Sequence, residues 1–353
     1  MKFDIIVIGA GPAGLWAAKT AADAGLKVVV LEENNAVGLP KHCSGWLLGC
    51  GDFTERVFSM VKDALPYQKV SRYKVIDALT GQVKENIEDT GWGGYLIRRE
   101  LFDRELGRIA LMSGVKLLLN IKVKELIRED GCVVGVKTSS VSLPEFRAKV
   151  TICADGVKSG TIAGFAHKEI PNVPEEEHYA GVQLELVNVK EVKPGEIETY
   201  ESEDRTLHGR AFYPHGWGIT LSAFSSRKAF EDLRARRDNL LSKKLASAYP
   251  VYAGGYPMRR RMGLYYEHLV KDGIIFVGDA CGCSGIIHGM ITGYYAAIAA
   301  KKAIEQDNLK NIYEYDSIIK NSDIYRNPFC YHHINEHYGS YKTWLERSRE
   351  IRV

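Results

Sequence analysis

The sequence predicts an α/β protein: a doubly wound parallel sheet, an antiparallel β-sheet domain inserted into it, and a short helical C-terminal segment. Three observations predict this. Residues 3–33 read as strand, glycine-rich turn, helix and second strand. Two later apolar runs, "AKVTICADG" and "GIIFVGD", return to the same buried-strand pattern. Between those runs, residues 178–224 alternate apolar and polar side chains with the period of a sheet covered on one face.

Residues 3–8, "FDIIVI", are continuously apolar, as a parallel strand covered on both faces requires. A helix is expected from Pro12 to about Ala24, stopped by Gly25, and "LKVVVLEE" supplies the second strand. Residues 34–60 are loop-like and then partly helical. "RYKVIDA" and "GYLIRR" are short alternating segments within 70–97 that suit an antiparallel layer. A helix over 99–113 puts Leu101, Phe102, Leu106, Ile109 and Ala110 on one side. "VKLLLN" reads as a return strand, followed by a small meander and the buried run ending in "ADG". "HYAGVQLELVNV", "EIETYES", "GRAFYP" and "WGITLSAFS" form the inserted sheet, expected to wall a substrate cavity. A charged helix follows over 227–247, and "GIIFVGD" rejoins the parallel sheet. The resulting division is 1–70, 95–165 and 265–310 for the dinucleotide-binding domain, 71–94 and 166–264 for the substrate domain, and 311–353 for the helical end.

A chain of 353 residues buries a large core without disulfides or metals. Its net charge of +3, spread along the sequence, carries no basic tail or patch of the kind that binds nucleic acid. Seven cysteines, an odd number in a long chain, fit a reducing compartment and hence a cytoplasmic protein. The apolar N-terminus is broken by glycines and reads as a buried strand and turn. No run of about 18 apolar residues is present to cross a bilayer, while contact with a membrane surface is compatible with the sequence.

Gly9, Gly11 and Gly14 form G-x-G-x-x-G between a strand and a helix. In that context the first glycine makes the turn, the second lets a pyrophosphate approach the backbone, and the third permits close packing of helix on strand. Glu32, ending the second strand, sits where a carboxylate accepts the ribose hydroxyls. Gly-Asp at 278–279 and Asp155-Gly156 each follow a buried strand; either is a plain turn or a place where backbone and carboxylate meet a ligand. Cys43, in "PKHCSGWLLGCG" beside Lys41 and His42, is either a thiol of lowered pKa or an inert small side chain, and Cys50 reads as structural. Cys281, Cys283 and His288, and again Cys330, His332, His333 and His337, bring potential ligands near one another. No C-x-x-C pair accompanies them, and no metal is expected.

Together and in this order, the glycine motif with Glu32, "RRELFDREL", "ADGVKS", Tyr213-Pro-His-Gly216 and "VGDACG" resemble the FAD-binding, para-hydroxybenzoate hydroxylase-like flavoproteins. Within them the chain is similar to the geranylgeranyl reductase family. The resemblance implies a Rossmann-like domain with FAD as cofactor. It places Gly9, Gly11, Ala13, Gly14, Glu32 and Glu33 at the adenosine and pyrophosphate end, and Asp155, Gly156 and Asp279 further along. It places Cys43 and the helix end at Gly289 near the ring, has Arg99 reach the cofactor, and counts Ser44 and Met290 among the cofactor-binding residues. Cys43 lies where these reductases also carry a cysteine, which makes it the candidate catalytic residue. The chain departs from the family at Ile286, where proline is usual, and at Met290 and Ile291, which replace Glu-Gly.

The implied activity is an FAD-dependent reductase that saturates carbon–carbon double bonds of an isoprenoid, geranylgeranyl-type lipid, with electrons from NAD(P)H or ferredoxin. Trp46, Phe212, Tyr213, Trp217 and Phe224, with His288, are the candidate substrate-contacting residues. A flavin monooxygenase of the same fold and a flavoprotein passing electrons to a quinone are the alternatives.

Overall fold

The computed structural model describes residues 2–40, 43–156, 178–204, 206–216, 218–224, 227–259, 269–322, 340–350 and 353, the side chains of 178–181, 222–224, 227, 256–259 and 348 excepted. The chain divides into two compact units. Met1–Leu39, Glu100–Glu177 and Arg261–Phe329 form the first; Pro40–Arg99, His178–Arg260 and Cys330–Val353 form the second.

The first unit is built on a six-stranded sheet, in spatial order Val270–Lys271, Ile274–Phe276, Val150–Cys153, Ile5–Ile8, Val28–Leu31 and Lys116–Leu118. Its five inner pairings include four parallel ones, with Ile5 opposite both Val150 and Val28. Ile5, Ile6 and Val7 are fully buried, as expected of strands covered on both faces. The edge hairpin turns on Asp272 and Gly273, whose φ values of 45° and 88° are those of a type I′ turn. A small antiparallel meander, Val123–Glu129, Cys132–Thr138 and Glu145–Arg147, completes the sheet structure.

Two helices matter most here. Pro12–Asp23 follows the first strand, with Gly11 as its N-cap, and Ile286–Glu305 follows the last, with Gly285 as its N-cap. They touch backbone to backbone: a Cβ on Gly293 would overlap the carbonyl oxygen of Ala13 and stand 3.2 Å from the Ala17 nitrogen. Helix Arg99–Met112 buries Phe102, Leu106, Ile109 and Ala110, the face its spacing predicts, with Leu101 half-buried.

The second unit holds a seven-stranded sheet, in order Tyr249–Arg259, His178–Val187, Gly218–Phe224, Arg210–His215, Glu196–Glu201, Arg72–Asp77 and Val83–Glu88. It is not wholly antiparallel, because Arg72–Asp77 runs parallel to Glu196–Glu201. More than a hundred residues separate these two strands in sequence, so no tight turn constrains their relative direction. "GYLIRR" joins a different sheet: Tyr95–Ile97 lies between Trp46–Leu47 and Tyr67–Lys69. That pairing groups residues 40–70, which the sequence reading assigns to the dinucleotide-binding domain, with the second unit.

The charged helix expected over 227–247 is two helices, Arg227–Ala235 and Leu240–Leu245. Arg237 takes φ of 100°, which ends the first. The buried Asn239 caps the second by accepting from the Ser242 nitrogen at 2.8 Å. Phe230, Leu233, Leu241 and Leu245 from these helices cover one face of the large sheet, over Leu184, Leu186, Tyr200, Phe212 and Leu221. Within this core lies a buried ionic group. Lys244 Nζ donates to Glu198 Oε2 at 2.7 Å and to the Glu191 carbonyl at 2.9 Å, and Tyr200 Oη donates to the same Glu198 oxygen at 2.6 Å. Among the described residues no helix is long and apolar enough to cross a membrane.

Candidate functional site

At the carboxyl ends of the parallel strands the first unit presents a glycine-lined cradle. Gly9 has φ of 99°, and a Cβ there would lie 2.5 Å from the Ala154 carbonyl oxygen; one on Gly14 would overlap the Gly9 carbonyl oxygen. Both positions are glycine because the strands Ile5–Ile8 and Val150–Cys153 and the first helix converge there. Gly11 differs: its φ is −76° and a Cβ would meet nothing within 4 Å. Packing does not demand that glycine, and the open space before the helix N-terminus is what it preserves.

Glu32 is buried and braces this turn. Its Oε2 accepts from the Ala10 nitrogen at 2.7 Å, and its Oε1 accepts from the Asn34 backbone and side-chain nitrogens at 2.9 and 2.5 Å. A carboxylate held this way keeps further lone pairs for hydroxyl donors. Glu33 is exposed instead and pairs with Lys122 at 3.2 Å.

The second helix N-terminus reaches the same cradle. Ala13 in the first turn of Pro12–Asp23 faces Gly278 and Gly289, where added Cβ atoms would stand 3.0 and 3.5 Å from the Ala13 Cβ. Gly278 has φ of 62° and Gly285 of 101°. Neither helix carries an acidic residue in its first turn or a side-chain cap, so each directs the positive end of its dipole and uncapped backbone N–H groups forward. Asp155, Gly156 and Asp279 follow the neighbouring strands, and Met290 is buried behind Gly289. The first helix end, glycine backbone and a braced carboxylate fit a pyrophosphate flanked by a ribose.

Cys281 and Cys283 face inward. The Cys281 thiol donates to the Gly278 carbonyl at 3.1 Å, and Tyr315 donates to the Phe276 carbonyl at 2.7 Å beside it. The hydrogen bond that the Cys283 thiol donates to Cys281, together with burial, holds Cys283 well above its ordinary range. These thiols are tied into the core. Among the described residues no group of three or more His, Cys, Asp or Glu is arranged to hold a metal ion.

His288 is also buried, its Nδ1–H donating to the Ser284 carbonyl at 3.2 Å. Burial lowers its pKa to about 4 from 6.5, against a smaller raising effect of that hydrogen bond. The folded state therefore binds its proton less readily than the unfolded state. The stabilisation is complete above pH 6.5 and is lost as pH falls toward 4, on the order of 3 kcal/mol in all. His288→Asn, which keeps a donor for Ser284, is expected to flatten the decline in urea midpoint between pH 7 and pH 4.5.

The other candidates lie in the second unit. Cys43 and Ser44 are half-buried just ahead of strand Trp46–Leu47, and Arg99 is half-buried at the start of its helix. Burial raises the Cys50 thiol strongly, and no partner ionises it. Strand alternation separates Phe212 from Tyr213. Phe212 packs edge-on against Tyr200 in the helix-covered core, with centroids 5.6 Å apart, and so does not line the opposite face with Tyr213. Tyr213 instead meets Trp46 at 6.1 Å, Trp46 stacks on Tyr73 at 6.0 Å, and Trp92 meets Tyr73 at 6.4 Å. The C-terminal helix Tyr341–Arg349 adds Tyr341, stacked on Tyr73 at 5.5 Å, and Trp344, edge-on to Trp46 at 6.1 Å. Tyr73, Trp92, Tyr341 and Trp344 escaped the sequence reading. The spacing of Tyr341, Trp344 and Leu345 is a helical apolar stripe that signals burial, though not its partner. Lys41, His42, Val157-Lys158-Ser159, Trp217, the side chain of Phe224, and Cys330, His332, His333 and His337 lie outside the described residues.

Comparison with known proteins agrees with this geometry. The sequence model of the family described as FAD dependent oxidoreductase matches residues 4–212, more than half of the chain. Digeranylgeranylglycerophospholipid reductase 2 of Methanopyrus kandleri is 30% identical over 336 residues, covering 87% of this chain and 79% of the relative. Digeranylgeranylglycerophospholipid reductase 1 of Methanosphaera stadtmanae is 28% identical over 335 residues, covering 89% and 79%. In fold, the chain matches the crystal structure of a geranylgeranyl bacteriochlorophyll reductase-like protein of Thermoplasma acidophilum. The TM-score is 0.80 at 21% identity, over 90% of this chain and 83% of that one. The glycine cradle, the parallel sheet that carries it and the sequence matches along most of the chain lead to one conclusion: this protein belongs to the FAD-dependent oxidoreductases and, among them, to the geranylgeranyl reductase family, with FAD as its cofactor.

Proposed function

We propose that the protein saturates carbon–carbon double bonds in the prenyl chains of a geranylgeranyl-type lipid. The observation that carries this reading is the similarity, along 87–89% of the chain, to proteins named as reductases of digeranylgeranylglycerophospholipids. When bound and reduced, FAD supplies a hydride for one alkene carbon, and its electrons come from an external nicotinamide or ferredoxin.

The chain's own residues then have these roles. Gly9, Gly11, Ala13 and Gly14 receive the pyrophosphate on the first helix N-terminus, and Gly289 and Met290 set the positive end of the second helix toward the ring. Glu32 accepts the ribose hydroxyls, while Asp155, Gly156 and Asp279 take polar groups beyond it. Arg99 and Ser44 bind polar atoms of the cofactor. Trp46 and Tyr213 present ring faces to the prenyl chain, orienting the double bond and excluding water. The polar ends of this wall are already engaged: Trp46 Nε1 donates to the Gly93 carbonyl at 2.7 Å, and Tyr73 Oη pairs with Thr199 Oγ1 at 2.7 Å. Cys43, three residues ahead of Trp46, holds the proton for the second alkene carbon.

Anaerobic turnover of digeranylgeranylglycerophospholipid with dithionite as reductant, followed by mass spectrometry, tests the reading. Products heavier by two hydrogens per reduced bond support it; unchanged lipid with a fully reduced holoenzyme refutes it. Cys43→Ser and Cys43→Ala, matched for flavin content, test the proton role. Both are expected to slow turnover, and unchanged turnover in both removes Cys43 from the reaction.

A further inference from the structure

The face of the large sheet that lies away from the helix-covered core changes character along its width. Strands Arg72–Asp77 and Arg210–His215 carry Tyr73 and Tyr213 on this face, packed with Trp46; on the next two strands the same face carries the buried Thr220, directly opposite Tyr213, and Gln183. A polar stretch next to an aromatic one on a continuous face suits a molecule with a polar group at one end and an apolar chain at the other.

The aromatic end is closed from within the same unit. Tyr341 lies flat on Tyr73, with an interplanar angle of 27°, and Trp344 sets its edge against Trp46 at 84°. The helix that brings them is fixed along its length. Ser340 Oγ accepts from the Thr343 nitrogen at 3.1 Å, the Lys342 nitrogen donates to Glu85 Oε2 at 3.3 Å, and Arg349 donates to the Thr90 carbonyl at 2.7 Å. Both aromatic side chains are buried, at 6% and 2% exposure, so the closure is a packed stop.

We propose that Tyr341 and Trp344 are specificity-determining residues that set the longest apolar chain the protein accepts. This rests on the reductase reading. The chain end abuts the Trp344 indole and the Tyr341 ring, and a substrate one isoprene unit too long is excluded by their volume.

The test uses the FAD-loaded enzyme with glycerophosphate ethers bearing geranyl, farnesyl, geranylgeranyl and longer prenyl chains. Removing the indole in Trp344→Ala is expected to raise kcat/KM for the longest chains relative to the shortest by about tenfold or more, since a single methylene in an apolar pocket is worth roughly that much. Trp344→Phe is expected to keep the wild-type ratio. Should Trp344→Ala lose FAD or unfold, Tyr341→Leu and Trp344→Leu, which retain apolar filling, carry the same comparison with a smaller shift. Dissociation constants for saturated-chain ethers, read from flavin absorbance changes, give a readout that needs no turnover. A shift of their length dependence in the variants supports the stop even if wild-type enzyme reduces none of the lipids, a result that would refute only the reductase reading. An unchanged length preference in folded, FAD-replete Trp344→Ala, in turnover and in binding alike, overturns the proposal.

Discussion

Gly11→Val is expected to give a folded protein that binds FAD about 10- to 100-fold more weakly than wild type. Gly9 and Gly14 are held as glycine by protein atoms, so replacing either disturbs the strand–helix junction itself. Gly11 has an ordinary φ of −76° and open space where a side chain would stand. A valine there removes a favourable N-cap, a loss of about 1 kcal/mol, and otherwise leaves the fold alone. Its methyl groups fill the volume before the helix N-terminus, where a pyrophosphate needs contact with backbone N–H groups. Flavin absorbance of the purified variant, titration of its apoprotein with FAD, and a urea midpoint near wild type read the effect. Wild-type FAD affinity in the folded variant would place the dinucleotide elsewhere.

Lys244→Met is expected to destabilise the second unit by about 3–5 kcal/mol. Lys244 and Glu198 are paired inside the helix-covered core, with side-chain exposures of 7% and 6%. Removing the ammonium leaves a buried carboxylate with, among the described residues, only the Tyr200 hydroxyl as donor, and leaves the Glu191 carbonyl without this partner. The pair itself need not be stabilising, because desolvation opposes its attraction. Replacing all three polar groups together, with Glu198→Leu, Tyr200→Phe and Lys244→Met, is therefore expected to recover most of the loss. Urea unfolding of the single and triple variants measures both changes, and a single variant as stable as wild type would contradict the account.

Much of the cradle was legible in the sequence. Continuous apolar runs marked the strands around Ile5, Val28, Val150 and Ile274, and the glycine spacing marked the turn between strand and helix. The close contact of Gly293 with Ala13 was not legible, because the two helices lie nearly 300 residues apart in sequence. Register and direction were also hidden where distant segments pair: nothing local announces that Arg72–Asp77 runs parallel to Glu196–Glu201. The break at Arg237 and Asn239 was disguised by a helix-favouring composition on both sides. Adjacent aromatic residues invited a shared role for Phe212 and Tyr213, although the two-residue period of a strand sends them to opposite faces. The spacing of Tyr341 and Trp344 carries a helical stripe that went unread, and their stacking on Tyr73 and Trp46 belongs to the tertiary structure alone.

The most direct test of the central claim is a single-turnover experiment on the two-electron-reduced holoenzyme. Mixed under nitrogen with digeranylgeranylglycerophospholipid, it is expected to regain the oxidised flavin spectrum while the lipid gains two hydrogens for each flavin reoxidised. A flavin that stays reduced with the lipid under nitrogen, but is rapidly reoxidised by dioxygen with formation of a hydroxylated product, would contradict the reductase assignment and identify a monooxygenase.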